Sequence, residues 1–179
     1  MDIINNPAIP DNINPLSPNG FQFSIAKLPE LTYFCQEVNI PTMSLGEFNL
    51  NNPFVPIPIP GEILTFDALN IRFLIDENMD NYIALHNWMI GLGFPDTYDQ
   101  YVDFIEGSPA WDYGELSKNY STATMTIMNN TNTAVQNIQF ANLFPISVSS
   151  VQFQSTNSDV QYLVGDATFR YSYYKFVAI

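Results

Sequence analysis

Residues 58–88 read PIPGEILTFDALNIRFLIDENMDNYIALHNW, and the hydrophobic period changes twice within them. A proline-interrupted, extended stretch stops at Pro60-Gly61. From Leu64 to Asp76 the apolar side chains alternate: Leu69, Ile71, Phe73 and Ile75 point one way, Ala68, Asn70 and Arg72 the other. A period of two with one polar face predicts a half-buried strand of an antiparallel sheet. The acidic corner Asp76-Glu77-Asn78-Met79-Asp80 follows, and its carboxylates suit the unpaired amides at a helix start. Tyr82, Leu85, Trp88 or Met89, and Leu92 then recur at helical spacing, with Gly91, Gly93 and Pro95 predicting the helix end. The segment therefore imposes a sheet and a helix that packs across it.

Strand patterning recurs on both sides. Phe21, Phe23 and Ile25 alternate with Gln22, Ser24 and Ala26, and Leu31–Ile40 gives a second run, so residues 20–40 are expected as a β-hairpin. Ser121–Met128 and Val135–Phe140, joined by NNTNT, predict another. Phe144-Pro145 predicts a break, Ser147–Ser155 a strand, and about Val160–Phe176 a closing strand with Phe169, Tyr171 and Tyr173 on one face. Residues 94–119 show no period and read as a long loop, and residues 1–19, with four prolines, as an N-terminal arm. The expectation is a single domain over residues 1–179, mainly β, an antiparallel sandwich or barrel of about seven strands with one flanking α-helix.

Residues 41–60 form a distinctive arm. Prolines at 41, 53, 56, 58 and 60 each lack the N–H that a central strand needs, whereas VPIPIP alternates as a protruding arm or an edge pairing would. Its apolar residues Phe48, Phe54, Val55, Ile57 and Ile59 are an aggregation hazard in water. They are the candidate inter-subunit contacts.

Composition points the same way. Apolar residues make up 46% of the 179 and charged ones 13%, too few to cover the outside of a free monomer, so part of the surface is expected against neighbours. With 5 Lys+Arg against 18 Asp+Glu the formal charge is −13, which excludes a basic patch for tight nucleic-acid binding. Lone Cys35 has no disulfide partner and reads as a buried thiol in a reducing compartment. The N-terminus lacks the basic and apolar regions of a secretory leader, and no window approaches the ~18 apolar residues of a membrane span. Asn119-Tyr-Ser and Asn129-Asn-Thr are accordingly read as chance matches to the glycosylation pattern.

Chemistry-bearing motifs are sparse. His86 is the sole histidine and sits inside the expected helix, without the further ligands or nucleophile that a zinc site or triad requires. The acidic corner lacks calcium-loop spacing, and Asp99, Asp103 and Glu106 fall loosely in the expected loop. No glycine pattern cradles phosphate. No catalytic, metal or cofactor site is expected, and no enzyme.

The pattern Gly61, Phe66, Asp67, Leu69, Ile71, Phe73, Leu74, Asp76, Glu77, with the following helix and Trp88, resembles the tail tube proteins of T-even-type contractile phages. Upstream, GFQFSI and TYFCQEVNIPTM resemble that family's first hairpin; downstream, FANLFPISVSSVQFQSTNSDVQYLVGDATFRYSYYKF resembles its aromatic finish. The similarity covers about residues 19–94 and 120–177. It implies hexameric rings stacked into a hollow tube in the virion tail, assembled in the host cytoplasm without cofactor. Paired hairpins would line a lumen whose acidity lets DNA slide through. The implied partners are other copies of the chain, the tail sheath, the baseplate tube-initiator and the tail terminator, with tape-measure protein and DNA passing unbound and no membrane insertion. A tube-initiating baseplate protein and a contractile injection system share the fold; a carbohydrate-binding or adhesion sandwich is the alternative from another class.

Overall fold

The computed structural model describes residues 13–107, 119–155 and 162–178. Residues 1–12 of the expected arm, residues 108–118 of the expected loop and the TNSD turn lie outside them. The elements are β1 (Phe21–Ile25), α1 (Leu31–Phe34), β2 (Cys35–Val38), β3 (Met43–Leu50), β4 (Ile57–Phe66), β5 (Leu69–Leu74), α2 (Asp80–Gly93), α3 (Asp99–Gly107), β6 (Ser121–Met128), β7 (Ala134–Val148), β8 (Val164–Arg170) and β9 (Tyr173–Ala178).

Every ladder is antiparallel. One sheet runs β1-β6-β7-β9; a second runs β7-β8-β5-β2, and the long strand β7 belongs to both. Its first half pairs with β9 and its last residues with β8, and the change falls at Asn142, where φ is 55°. The chain opposite is kinked in step: Ser172 donates its N–H to Ala141 O (2.9 Å), and Asn142 Nδ2 donates to Ser172 Oγ (3.0 Å). Pro145, expected as a break, instead sits inside β7 opposite Phe169, because the ladder shifts register beside it.

The first sheet separates its faces row by row. Phe23–Met125–Ile138–Phe176 and Ile25–Ala123–Phe140–Tyr174 form core rows; Ser24–Thr124–Gln139–Lys175 lies between them, and Gln22–Thr126–Asn137–Val177 beyond the first. In the second sheet Leu69, Ile71 and Phe73 pair with Phe169, Ala167 and Gly165, all buried. The Phe73 ring lies over Gly165, where a Cβ would stand 2.8 Å from its ζ carbon. The outward face carries Arg72, whose Nε donates to Asp166 Oδ1 (2.8 Å) with Glu37 3.8 Å away.

Helix α2 closes the strand ends. Asn81 Nδ2 donates to Leu74 O (2.8 Å), Tyr82 Oη to Ser149 O (3.4 Å) and Trp88 Nε1 to Asn119 O (3.4 Å). The acidic corner does cap it: Asp76 Oδ1 accepts the Asn81 N–H (3.2 Å). Leu85 and Trp88 are buried, as the spacing predicts.

Five expectations need correction. Residues 20–40 are not a hairpin: β1 pairs β6, β2 pairs β5, and α1 occupies Leu31–Phe34. The single flanking helix is not alone, because residues 94–119 hold α3; its Phe104 packs where a Cβ on Gly91 would lie 2.5 Å from the ring, so Gly91 lets two helices meet rather than ending one. Residues 149–155 are not in a strand, and Leu64–Asp76 is two strands separated at Asp67-Ala68. The closing strand is β8 and β9 with the kink between, which leaves Tyr173 exposed while Tyr171 is buried. The β6–β7 hairpin is as expected. Asn129 Oδ1 accepts from the Thr131 and Thr133 N–H groups at 2.9 Å, which makes NNTNT a turn device.

Candidate functional site: a projecting hairpin and two sheet edges

Strands β3 and β4 pair with each other and stand off the body as a two-stranded arm. Leu50 faces Ile57, Phe48 faces Ile59, and Asn49 and Glu47 face Pro58 and Pro60. Prolines two apart aim their missing N–H groups to the same side of a strand, so β4 tolerates both by turning that side away from β3. The ladder is broken between Leu45 and Glu47, where Gly46 and Gly61 touch: a Cβ on Gly61 would lie 2.7 Å from Gly46 O. At that bulge the apolar positions of β3 change parity, from Met43 and Leu45 to Phe48 and Leu50.

The root of the arm is held firmly. Asp67 donates its N–H to Thr42 O (3.0 Å), Arg170 Nη1 donates to Phe66 O (3.2 Å) and Tyr174 Oη to Pro41 O (3.4 Å). Phe66, Phe140, Tyr171 and Tyr174 form an aromatic cluster beneath it, with ring centroids 5.1–6.2 Å apart. Beyond this root all of β3 is exposed. Of the five sequence candidates Phe54 is 91% exposed, Val55 64%, Phe48 54% and Ile57 45%, with Ile59 half-buried against Phe48. The structure thus gathers all five on one arm and adds Ile63 and Leu64.

Sequence reading missed the sheet edges. Among the described residues, β1 and β9 are the outermost strands of the first sheet. Phe176 belongs to a core row yet is 58% exposed, because the layer ends at β9. The alternation of Tyr174 and Phe176 is legible in the sequence; that β9 ends a sheet is not.

The residues weighed for chemistry are dispersed. His86 is exposed on α2, and Asp99, Asp103 and Glu106 lie on α3 at spacings of four and three. Among the described residues no group of His, Cys, Asp and Glu is placed to hold a metal, and no helix is long and apolar enough to cross a membrane. Cys35 is half-buried rather than buried, and desolvation pushes its thiol up to about 11.

A groove of about 640 Å³ lies between α2, α3 and the end of β1. Lys27 Nζ stands there 4.6 Å from the Phe104 ring centroid and 5.3 Å from that of Trp88, and burial pushes its pKa down to about 8. Between pH 8 and 10.5 the unfolded chain holds the extra proton, so stability climbs with pH through that window. Lys27→Met should flatten the climb by about 1 kcal/mol once solvent screening is allowed for. Urea titrations of both proteins from pH 7 to 11 check this, and superimposable profiles would refute the desolvation. Cys35 and Tyr171, both pushed up by burial, act oppositely at high pH and cancel in the difference.

A sequence profile of the phage tail tube protein family matches residues 4–177. The chain belongs to this family. The tail tube terminator protein of Enterobacteria phage T4 is 26% identical over 160 residues, spanning 77% of this chain and 84% of that protein. Among solved structures, a component of the anti-feeding prophage baseplate superposes with a TM-score of 0.61 at 10% identity, over 92% of this chain and 97% of the other. A chain from the sheath/tube terminator structure of the extracellular contractile injection system PVC gives 0.56 at 16%, over 92% and 98%. These likenesses establish the fold: the mainly β, antiparallel tail-tube architecture that the sequence resemblance implied.

Proposed function

We propose that the protein is a structural, non-catalytic subunit of a phage tail tube, in which rings of copies close through the edges of the first sheet and stack through the β3–β4 arm. Stranded Phe176 carries this reading. A core-row aromatic at an open edge needs a neighbour to continue the layer. Strand direction supplies the neighbour: β1 and β7 run one way, β6 and β9 the other, so β9 laid beside β1 of the next copy is antiparallel again. An edge contact between two different surfaces is heterologous and closes by rotation. Six copies per ring is the expected number, the symmetry imposed on the baseplate structure cited above. Sheath, initiator and terminator are the partners such a tube has, with DNA and tape-measure protein in its lumen.

A second reading, favoured by the T4 relative, is the tube terminator. Such a ring forms but does not elongate. Negative-stain electron microscopy across a concentration series separates them: uniform hollow tubes mark the tube subunit, and single rings that cap preformed tubes mark the terminator. Monomers throughout would remove both in favour of a binding sandwich.

A further inference from the structure

Among the described residues, the outward face of the first sheet carries no carboxylate. Its four strands contain no Asp or Glu, whereas the described acids lie on the turns, the arm, the helices and the second sheet. Across the sheet the polar rows are hydroxyls and amides, with Gln22 exposed and Ser24, Thr124, Thr126, Asn137 and Gln139 half-buried; one row ends at Val177 and the other at the cation Lys175. Thr126 Oγ1 donates to Asn137 Oδ1 at 2.8 Å, so part of this polar layer is hydrogen-bonded within itself. Lys175 is exposed and makes no ion pair among the described residues.

Taking the ring reading as its basis, we infer that this face is the lumen wall, and that it meets DNA as a neutral surface bearing one ring of lysines, one Lys175 from each copy. This reading departs from the acidic lumen that the family resemblance implies. Exposed charges separated by more than about 8 Å are largely screened at physiological salt, so the formal charge of −13 does not by itself make a carboxylate-free wall negative. Hydroxyl and amide groups exchange hydrogen bonds with water and phosphate alike, giving little preference for any position along the duplex. Lys175 adds a contact to the phosphodiester backbone that is independent of sequence and weakened by salt. One such ring per layer holds the duplex loosely while allowing it to slide.

The test is assembly of the full-length chain in the presence of a linear fluorescent DNA fragment, followed by sedimentation and washing at rising salt. Wild-type assemblies are expected to retain DNA at low salt and release it as salt rises. Lys175→Gln should lower retention about tenfold or more and flatten the salt dependence, and Lys175→Glu should abolish retention. Arg72→Gln removes the same charge from the outward face of the second sheet and should change nothing. Assemblies that form normally but retain no DNA, or retain it equally in wild type and Lys175→Gln, overturn the lysine ring while leaving the ring reading intact. Equal losses in Lys175→Gln and Arg72→Gln overturn it too, because the effect would then be one of net charge. Failure of the wild-type chain to form rings at any concentration removes the ring reading and this inference together.

Discussion

Replacing Phe48, Ile57 and Ile59 together by serine leaves the body folded and abolishes stacking. The three side chains form one apolar patch on the distal half of the β3–β4 arm, where Phe48 and Ile59 are direct cross-strand partners. The arm meets the body through hydrogen bonds and aromatic contacts at Pro41, Thr42, Phe66 and Asp67, all of which the triple variant keeps. Circular dichroism and thermal midpoint should therefore change little. Assembly is another matter. Burying each of these side chains is worth about 1.5–3 kcal/mol, so losing three weakens a ring-to-ring contact by roughly three orders of magnitude or more. Gel filtration and electron microscopy read this directly, and excision of residues 43–59 should give the same result. Tubes of ordinary length would place the stacking contact elsewhere; loss of the native spectrum would show that the arm supports the core.

Phe169→Ala should lose assembly for the opposite reason, by unfolding the subunit. Phe169 is fully buried, pairs with Leu69 on one side and Pro145 on the other, and stands 6.3 Å from the Trp88 ring. It thus joins β5, β7, β8 and α2. Truncating a buried Phe typically costs about 3–5 kcal/mol, a fifth or more of the about 5–15 kcal/mol that a folded domain commonly has. Urea denaturation should show that loss in the monomer at concentrations too low for association. A midpoint near that of wild type would mean the neighbouring side chains collapse into the space. Together the two variants separate contacts made between copies from contacts that make the copy itself.

Local pattern carried much of this protein. Alternation in Phe21–Ile25, Leu69–Ile75 and Ser121–Met128 set which side chains are buried, since successive residues of a strand point to opposite faces whatever the partner. Proline spacing announced the arm, and its five apolar candidates all lie there. The failures share a cause. Residues 20–40 read as a hairpin because adjacent strands often pair, yet Ser24 lies opposite Thr124, one hundred positions on. Helix α3 was illegible because Phe104 has an apolar place to go only once Gly91 of α2 is beside it.

The sequence by itself determined the period of the main strands and of helix α2, the polarity of their faces and the low charge that leaves surface for neighbours. Those properties depend on residues a few positions apart. Only the tertiary structure decided that, among the described residues, β9 ends a sheet, Phe176 is stranded there and Lys175 completes a face without acids. Each of these depends on which distant strands come to lie side by side, and that choice is set by the burial of the whole core rather than by any local stretch of chain.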